Sequence, residues 1–507
     1  MNLNSLQNDR AAGVLVALAA GDALGAGYEF GAPLPDGAEV TMKGGGPFGF
    51  EPAEWTDDTS MAIPIAEALL DAGPTPAALD AVVRAWTAWA ADAKDVGSQT
   101  RSVIHAAKQR SAAAGRRAAA AGRSEVTAED FAHAAQAFHE RAGRSGGNGS
   151  LMRTAPLALA YLDRDPADLM TAAGELSALT HVEDDAREAC GLWCIAIRDA
   201  ILTGQLDIRT GLPLLPPDRA DLWRERIETA ELSRPRDFTK NGWVVEALQG
   251  AWSAISTTRT ASGPEHLRAG LEEAVRGGRD TDTVAAIAGS LLGAACGYSA
   301  VPFEWRRHLH GWPDLRARDL MTLGVELAGG AVRRTDAWPR TAHFDYSGWD
   351  RTDVLVRHPN DDGVWLGGVG ALGRTAELGI DAVVSLCRLG TDDVSGIAPE
   401  NQATFWLVDS ASPDSNSHSA FVLREAAAAV ERFRAEGKIV LLHCVRAESR
   451  TPTVAALYGS RVARVSPLEA LEHVRRVLPN ANPNPAFREV LAAESAAAEP
   501  GVACSSS

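Results

Sequence analysis

The sequence predicts a multidomain chain, an all-α domain followed by an α/β domain, and three observations carry that expectation. Its 507 residues exceed what one ordinary core organises. Up to about residue 330, apolar residues recur at three- and four-residue spacing with few β-branched runs, the period of helices packed on a core. After about residue 335, short apolar runs alternate with helical stretches, as in α/β layers.

In the first part, 61–70, 80–91 and 284–295 are helix candidates, punctuated by Gly and Pro clusters at 44–47, 146–149, 211–217 and 277–278. Residues 111–124, rich in Ala and Arg, read as an exposed low-complexity helix or loop and suggest no chemistry. The first domain is expected over 1–335, with a linker over 336–350 that holds Pro339 and scattered aromatic residues. The α/β domain, over 351–495, offers strands at 364–366, 382–386, 404–408 and 438–442. Helices are expected near 371–378 and 420–435, with another starting near Thr451. Residues 496–507 read as a frayed tail.

Composition narrows the function. Hydrophobic residues make up 46% and charged residues 23%, which is usual for a soluble globular protein. The formal charge of −17 gives no broad electrostatic footprint for nucleic acid or a membrane surface. The first ten residues lack a basic segment ahead of an apolar one, and the apolar stretch 11–20 is expected to stop at Gly21-Asp22, short of a membrane span. The six cysteines (190, 194, 296, 387, 444 and 504) follow neither a disulfide framework nor a zinc spacing, and a reduced, cytoplasmic protein is expected.

Two acidic motifs of the same form stand far apart, Thr56-Asp57-Asp58-Thr59 and Asp280-Thr281-Asp282-Thr283, each directly ahead of a predicted helix. Either alone reads as an N-cap, because Asp and Thr accept hydrogen bonds from the free N–H groups of a first turn. Together they offer oxygen ligands only, the donor set of Mg²⁺ or Mn²⁺, with no thiolate or imidazole for zinc.

Taken in order, Gly21-Asp22-Ala23-Leu24-Gly25 with Glu29, then 56–59, then Ser145–Arg153 (SGGNGSLMR), Thr180-His181 and 280–283 resemble the ADP-ribosyl-glycohydrolase family, which includes the enzyme that reactivates ADP-ribosylated nitrogenase reductase. The resemblance spans almost all of residues 10–330. It implies an all-α fold with a cleft for two magnesium ions. It also implies hydrolysis of the bond between ADP-ribose and a protein side chain or small acceptor. Carried over by position, Thr56, Asp57, Asp58, Asp280, Asp282 and Thr283 are the expected metal ligands. Asp95, within Asp95-Val96-Gly97-Ser98-Gln99-Thr100-Arg101, is the expected general base, with Glu29 as the rival carboxylate. The glycine-rich turn Gly147-Asn148-Gly149-Ser150 is expected to cradle a pyrophosphate on backbone N–H groups, with Arg153 and His181 also on the substrate side. Arg279 departs from the family, which has a small residue there.

In the second domain, residues 439–443 predict a buried strand, followed by a loop from Cys444 to Arg450 and then a helix. Five residues separate Cys444 from Arg450, the Cys-x5-Arg phosphate loop. A thiolate at a helix start is stabilised by free N–H groups, and a guanidinium grips two phosphate oxygens as a planar fork. With Ser449 and Thr451 beside it, the loop resembles that of the dual-specificity phosphatases over about residues 350–480. That implies a phosphorylated substrate, a phosphocysteine at Cys444, phosphate contacts from Arg450, Ser449 and Thr451, and a general acid at Asp409 or, alternatively, Asp414. Ala447 departs from the family glycine. The expected function is therefore a bifunctional hydrolase. The alternative is a module that binds ADP-ribose and phosphate with one or both sites inactive.

Overall fold

The computed structural model describes residues 2–117, 125–329 and 337–498, with no side-chain account of 114–117 or 498. The expected tail from residue 499, Cys504, residues 118–124 of the Ala-rich segment and the expected 335/336 boundary lie outside the described residues. Two compact units are present, one formed by Met1–Val301 with His308–Arg333, the other by Pro302–Arg307 with Arg334–Ser507.

The first unit is helical apart from a two-residue antiparallel pair, β1 (His310–Gly311) and β2 (Leu315–Arg316). Its first helix, Ser5–Gly25, begins at Asn4, whose side chain accepts from Gln7 N while the Gln7 side chain accepts from Asn4 N. The apolar stretch is interrupted at Gly21-Asp22, but the helix continues to Gly25. It runs through, because the Asp22 carboxylate finds donors on the Asp57–Ala72 helix start. By length and composition the segment Ser5–Tyr28 could cross a membrane, yet residues 11–25 are buried within the unit. Ser5–Gly25 and the Thr281–Cys296 helix touch backbone to backbone. A Cβ at Gly21 would overlap Ala285 O, and one at Gly25 would overlap the Asp282 main chain. The expected helices at 61–70, 80–91 and 284–295 fall inside Asp57–Ala72, Pro76–Trp89 (which ends two residues early) and Thr281–Cys296.

The second unit carries a five-stranded sheet in the order β3 (Leu355–His358), β4 (Asp361–Gly367), β7 (Val440–His443), β5 (Ala382–Ser385), β6 (Gln402–Thr404). β3 pairs antiparallel with β4, and the other neighbours are parallel. Strand β7 reads Val-Leu-Leu-His, buried at every position, as a central parallel strand covered on both faces requires. Val440 and Leu442 pack with Leu423, Val430 and Val454 on one face, and Leu441 packs with Val383 and Leu389 on the other.

Three expectations need correction here. The strand expected at 404–408 is β6, Gln402–Thr404, because beyond Phe405 the chain bends away and Leu407 O is taken by Arg450. The helix expected near 371–378 is a 3₁₀ turn, Val369–Arg374, rich in glycine, a poor helix former. The expected linker is held in the second unit, since Thr341 O and Ala342 O accept from Thr391 N and Asp392 N, and Tyr346 donates to Arg388 O at 2.7 Å. Phe303 also belongs to this unit, packed 5.7 Å from Phe405 and 6.0 Å from Phe433 between ring centroids.

Candidate functional site

Thr56 caps Asp57–Ala72 and Asp280 caps Thr281–Cys296, so both acidic motifs open helices. The Gly25 contact with the Asp282 main chain, and the Asp22 bonds to Thr56 N and Thr59 N, bring these two helix starts to the C-terminal end of Ser5–Gly25, and carboxylates from three segments converge there. Oxygens of Asp22, Asp58 and Asp282 lie within 4.8 Å of one another, as do oxygens of Glu29, Asp280 and Asp282. Thr56 Oγ1 donates to Asp58 Oδ2 at 3.0 Å, and Thr283 Oγ1 approaches the same oxygen at 3.4 Å.

Burial and mutual repulsion make this cluster costly without positive charge. Burial first, then the neighbouring carboxylates, pushes Glu29 and Asp57 up to about 8. Asp58 and Asp282 are held well above the ordinary carboxylate range for the same reasons. Asp22 rises only to about 6, since burial there is opposed by hydrogen bonds from Thr56 and Thr59. Three buried oxygens, Glu29 Oε2, Asp58 Oδ1 and Asp282 Oδ1, have no partner among the described residues. An oxygen-only donor set with orphaned buried carboxylate oxygens fits one or two hard divalent cations.

Asp95 stands half-buried on the loop before the Ser98–Arg117 helix and faces the same cluster. Its carboxyl is raised mainly by burial, with Asp280 adding to the rise. Gly97 N–H on the same loop reaches Asp57. Glu29, expected as a rival base, meets Asp280 and Asp282 instead. Arg279 adopts φ +67°, and its main chain is bonded to the Glu29-bearing loop through Phe30 N→Arg279 O and Arg279 N→Gly31 O, 2.5 and 2.8 Å.

The glycine-rich turn is built differently from the expected phosphate cradle. Asn148 N donates to Gly242 O at 3.1 Å, so one N–H of the turn is already engaged, and just before the turn Ser145 N donates to the Glu183 carboxylate. The Asn148 side chain donates to Asp280 Oδ2 at 2.8 Å, which makes it a support of the carboxylate cluster. Ser150 is fully buried, its hydroxyl 2.9 Å from Ser177 Oγ. Arg153 is also fully buried, stacked 4.0 Å over Trp86, and lies in the core. Gly147 and Gly149 press on the His181 ring, with a Cβ at either lying 3.2 Å from it.

Sequence reasoning missed Asp22, Asn241 and Glu183 as site builders. Asp22 had a signal, as the one carboxylate in the apolar run 11–26. Asn241 accepts from Asp280 N at 3.3 Å and had none, because its role depends on a contact 39 residues away.

In the second unit, Cys444 follows β7, and Arg450 opens the Arg450–Ala463 helix, as expected. Cys444 is buried in the loop floor at 2% exposure. Arg450 Nη1 donates to Leu386 O at 3.1 Å and Leu407 O at 2.8 Å, while its buried Nε has no partner. One edge of the fork is thus anchored, and the Nε side remains for a ligand. Ser449 Oγ donates to Asp409 Oδ1 at 2.6 Å and accepts from Asn484 N at 3.1 Å, and Asn484 Nδ2 also reaches Asp409 Oδ1 at 2.9 Å. Asn484, unforeseen from sequence, ties the acid loop to the cysteine loop. Asp414 is exposed on a turn. The Thr451 hydroxyl points to Gly367 O at 3.5 Å. Ala447 sits at φ +57°.

A profile of the ADP-ribosylglycohydrolase family matches residues 3–337. The chain is 29% identical over 309 residues to the ADP-ribosylarginine hydrolase Tri1 of Serratia proteamaculans strain 568, covering 59% of this chain and 74% of that one. It is 27% identical over 328 residues to the ADP-ribosyl-[dinitrogen reductase] glycohydrolase of Rhodospirillum rubrum, covering 64% of this chain and 97% of that one. Among solved structures it is similar to human DUSP28, at 23% identity and TM-score 0.25, over 29% of this chain and 99% of that one.

Proposed function

The chain belongs to the ADP-ribosylglycohydrolase family over residues 3–337, and from that premise we propose that its first unit hydrolyses the bond between ADP-ribose and an arginine side chain of a protein. The name of the Serratia relative, an ADP-ribosylarginine hydrolase, supports arginine as the acceptor. The observation that carries the reading is the convergence of partnerless buried oxygens from Glu29, Asp58 and Asp282. Thr56, Asp57, Asp58, Asp280, Asp282 and Thr283 would hold two Mg²⁺ or Mn²⁺ ions, with Glu29 beside them. Such ions, when bound, supply the positive charge that offsets these carboxylates and orients ribose oxygens.

The chain's own residues do the rest. Asn148 and Asn241 fix Asp280 from two sides. Asp95 takes a proton from the attacking water, while Glu29, held at Asp280 and Asp282, is assigned to ion holding. Hydroxide adds to the anomeric carbon, the carbon–nitrogen bond breaks, and the departing guanidine nitrogen takes up the proton that Asp95 removed from the water. The test is release of free ADP-ribose by the full chain from an ADP-ribosylated arginine protein, with and without chelator. Tight binding without turnover would mark the first unit as a reader of ADP-ribose. Turnover untouched by chelator and by Asp95→Asn would remove both assignments.

A second reading concerns the second unit and rests on Arg450, whose anchored Nη1 and partnerless buried Nε leave one edge of the fork for two phosphate oxygens. It is a phosphate-monoester hydrolase acting through Cys444. Two donors occupy Asp409 Oδ1, which leaves Oδ2 to carry a proton to the leaving group. Release of inorganic phosphate from an aryl phosphate, lost in Cys444→Ser, is its test.

A further inference from the structure

The sequence motifs place Arg153 and Thr180-His181 near substrate, yet Arg153 and Thr180 are fully buried and His181 is 2% exposed. The three form one chain of hydrogen bonds. Arg153 Nη2 donates to Thr180 Oγ1 at 2.5 Å, and Thr180 Oγ1 lies 2.7 Å from His181 Nδ1. A guanidinium only donates, and a threonine hydroxyl carries one proton. If Nδ1 also donated to Thr180, the hydroxyl proton would be left without an acceptor among the described residues, which is costly in a buried site. The direction of the chain is therefore fixed from the arginine outward, and Nδ1 accepts. The remaining ring proton sits on Nε2.

The surroundings hold this arrangement. The Arg153 guanidinium is clamped on the Trp86 face at 4.0 Å, with Met61 Sδ 3.5 Å from Nη1 and with Nε partnerless, so Thr180 is its one strong acceptor among the described residues. Burial and the nearby Arg153 charge push His181 down to about 3, which keeps the ring uncharged at neutral pH. The His181 main chain is pinned as well, with His181 N donating to Ser177 O at 2.8 Å and Ser177 Oγ donating to His181 O at 3.1 Å. Nε2 faces the turn, 3.2 Å from where a Gly147 Cβ would stand, and no described residue accepts from it. The same space meets Gln99 Oε1, 3.7 Å from that Cβ position, and Thr100 Oγ1, 3.8 Å from the corresponding point on Gly149. Two glycines thus leave a small polar cradle that a side chain would fill.

We infer that Arg153 and Thr180 are positioning residues that hold His181 in its Nε2–H tautomer, so that the ring presents a fixed hydrogen-bond donor to an oxygen of the ligand lying over the Gly147–Gly149 turn. The inference deepens the hydrolase reading and rests on it for the identity of the ligand. The tautomer itself does not depend on that reading. A donor fixed in advance needs no reorientation when the substrate arrives, and Arg153 acts through two other residues without touching the substrate.

The test uses the full chain with ¹⁵N-labelled histidine, and His181→Asn assigns the resonance. Nδ1 should show the shift of an unprotonated ring nitrogen and Nε2 that of a protonated one. Thr180→Val should mix the two tautomers and lower kcat/KM for ADP-ribose release about tenfold, the scale of one lost hydrogen bond. Thr180→Ser should restore the wild-type spectrum and most of the rate. A proton on Nδ1 in the wild-type protein overturns the inference, and so does Thr180→Val with unchanged spectrum and rate. Should the valine variant fail to fold, the wild-type and serine spectra decide alone. If His181 shows the Nε2 proton but no ADP-ribosylated arginine is turned over, the relay stands and the hydrolase reading fails.

Discussion

Asp22 Oδ2 accepts from both the main-chain N–H and the hydroxyl of Thr59, at 3.0 and 2.6 Å, while Oδ1 accepts from Thr56 N at 2.9 Å. A carboxylate of the first helix thereby caps the helix that carries Asp57 and Asp58. Asp22→Asn puts an amide donor against one of these donors, and no rotation of the side chain satisfies all three. The expected cost is about 2 kcal/mol, the usual scale for a buried unsatisfied group. Thermal unfolding should show the first unit melting several degrees lower while the second unit is unchanged.

Divalent metal should stabilise the first unit through both acidic motifs. At a hundredfold excess over Kd a ligand adds about 2.7 kcal/mol, so Mg²⁺ or Mn²⁺ should raise the melting temperature of the wild type. Asp57→Ala and Asp282→Ala should lose both that rise and ADP-ribose release, yet keep any phosphatase activity. A normal metal-dependent rise in both variants would sink the ligand assignment.

The metal-free protein should show an unusual pH dependence. Glu29 and Asp57 are pushed up to about 8 in the folded state, whereas the unfolded chain returns them to their ordinary values near 4.5 and 3.8. Between those limits the folded state holds more protons, so the stabilising effect is complete at the acid end and is lost as pH rises towards 8. Denaturant titrations in chelator should find the first unit less stable at pH 8 than at pH 5. Saturating metal should flatten or reverse that slope.

Ala447 occupies a left-handed conformation at φ +57°, which costs a residue with a Cβ about 1–2 kcal/mol. Glycine removes that strain and gives back part of the gain as entropy in the unfolded chain. Ala447→Gly should therefore stabilise the second unit by about 0.5–1 kcal/mol in urea unfolding.

If the second unit is a phosphatase, Cys444→Ser should abolish turnover and still bind phosphate, because Arg450 remains. Asp409→Asn should slow hydrolysis of a poor leaving group by about 10²–10⁴-fold and barely affect an activated aryl phosphate. Asp414→Asn should do neither. A selective loss in the Asp414 variant would transfer the acid to that residue.

Much of the fold and of the carboxylate cluster is legible in the sequence. Helical periodicity in the first unit, against short apolar runs alternating with helices in the second, separates the two, and both acidic motifs open helices as their Asp and Thr content predicts. What is not legible has identifiable physical reasons. Ser150 and Arg153 stand in a motif that borders the cleft, but a motif does not reveal which of its side chains turn inward, and these two are buried. Asn148 sits in a turn suited to phosphate, and its amide is bonded to Asp280, 132 residues along the chain. Strand β6 ends at Thr404, short of its expected end at 408, because Arg450 takes the Leu407 carbonyl, a contact no local pattern encodes.

The backbone contact at Gly21 and Gly25 also governs when this protein acquires its chemistry. The carboxylates of Asp22 and Asp282 are held together by helices that begin at Ser5 and end at Cys296. During synthesis the first half of the cluster leaves the ribosome long before the second has been made. At about 5–20 residues per second, the roughly 260-residue gap lasts on the order of ten seconds or more. Throughout that interval Asp22, Asp57 and Asp58 face solvent without their counterparts. A cation site that needs both halves can form only late, and nascent chains arrested before residue 280 should pass over an immobilised cation that the finished unit is expected to retain.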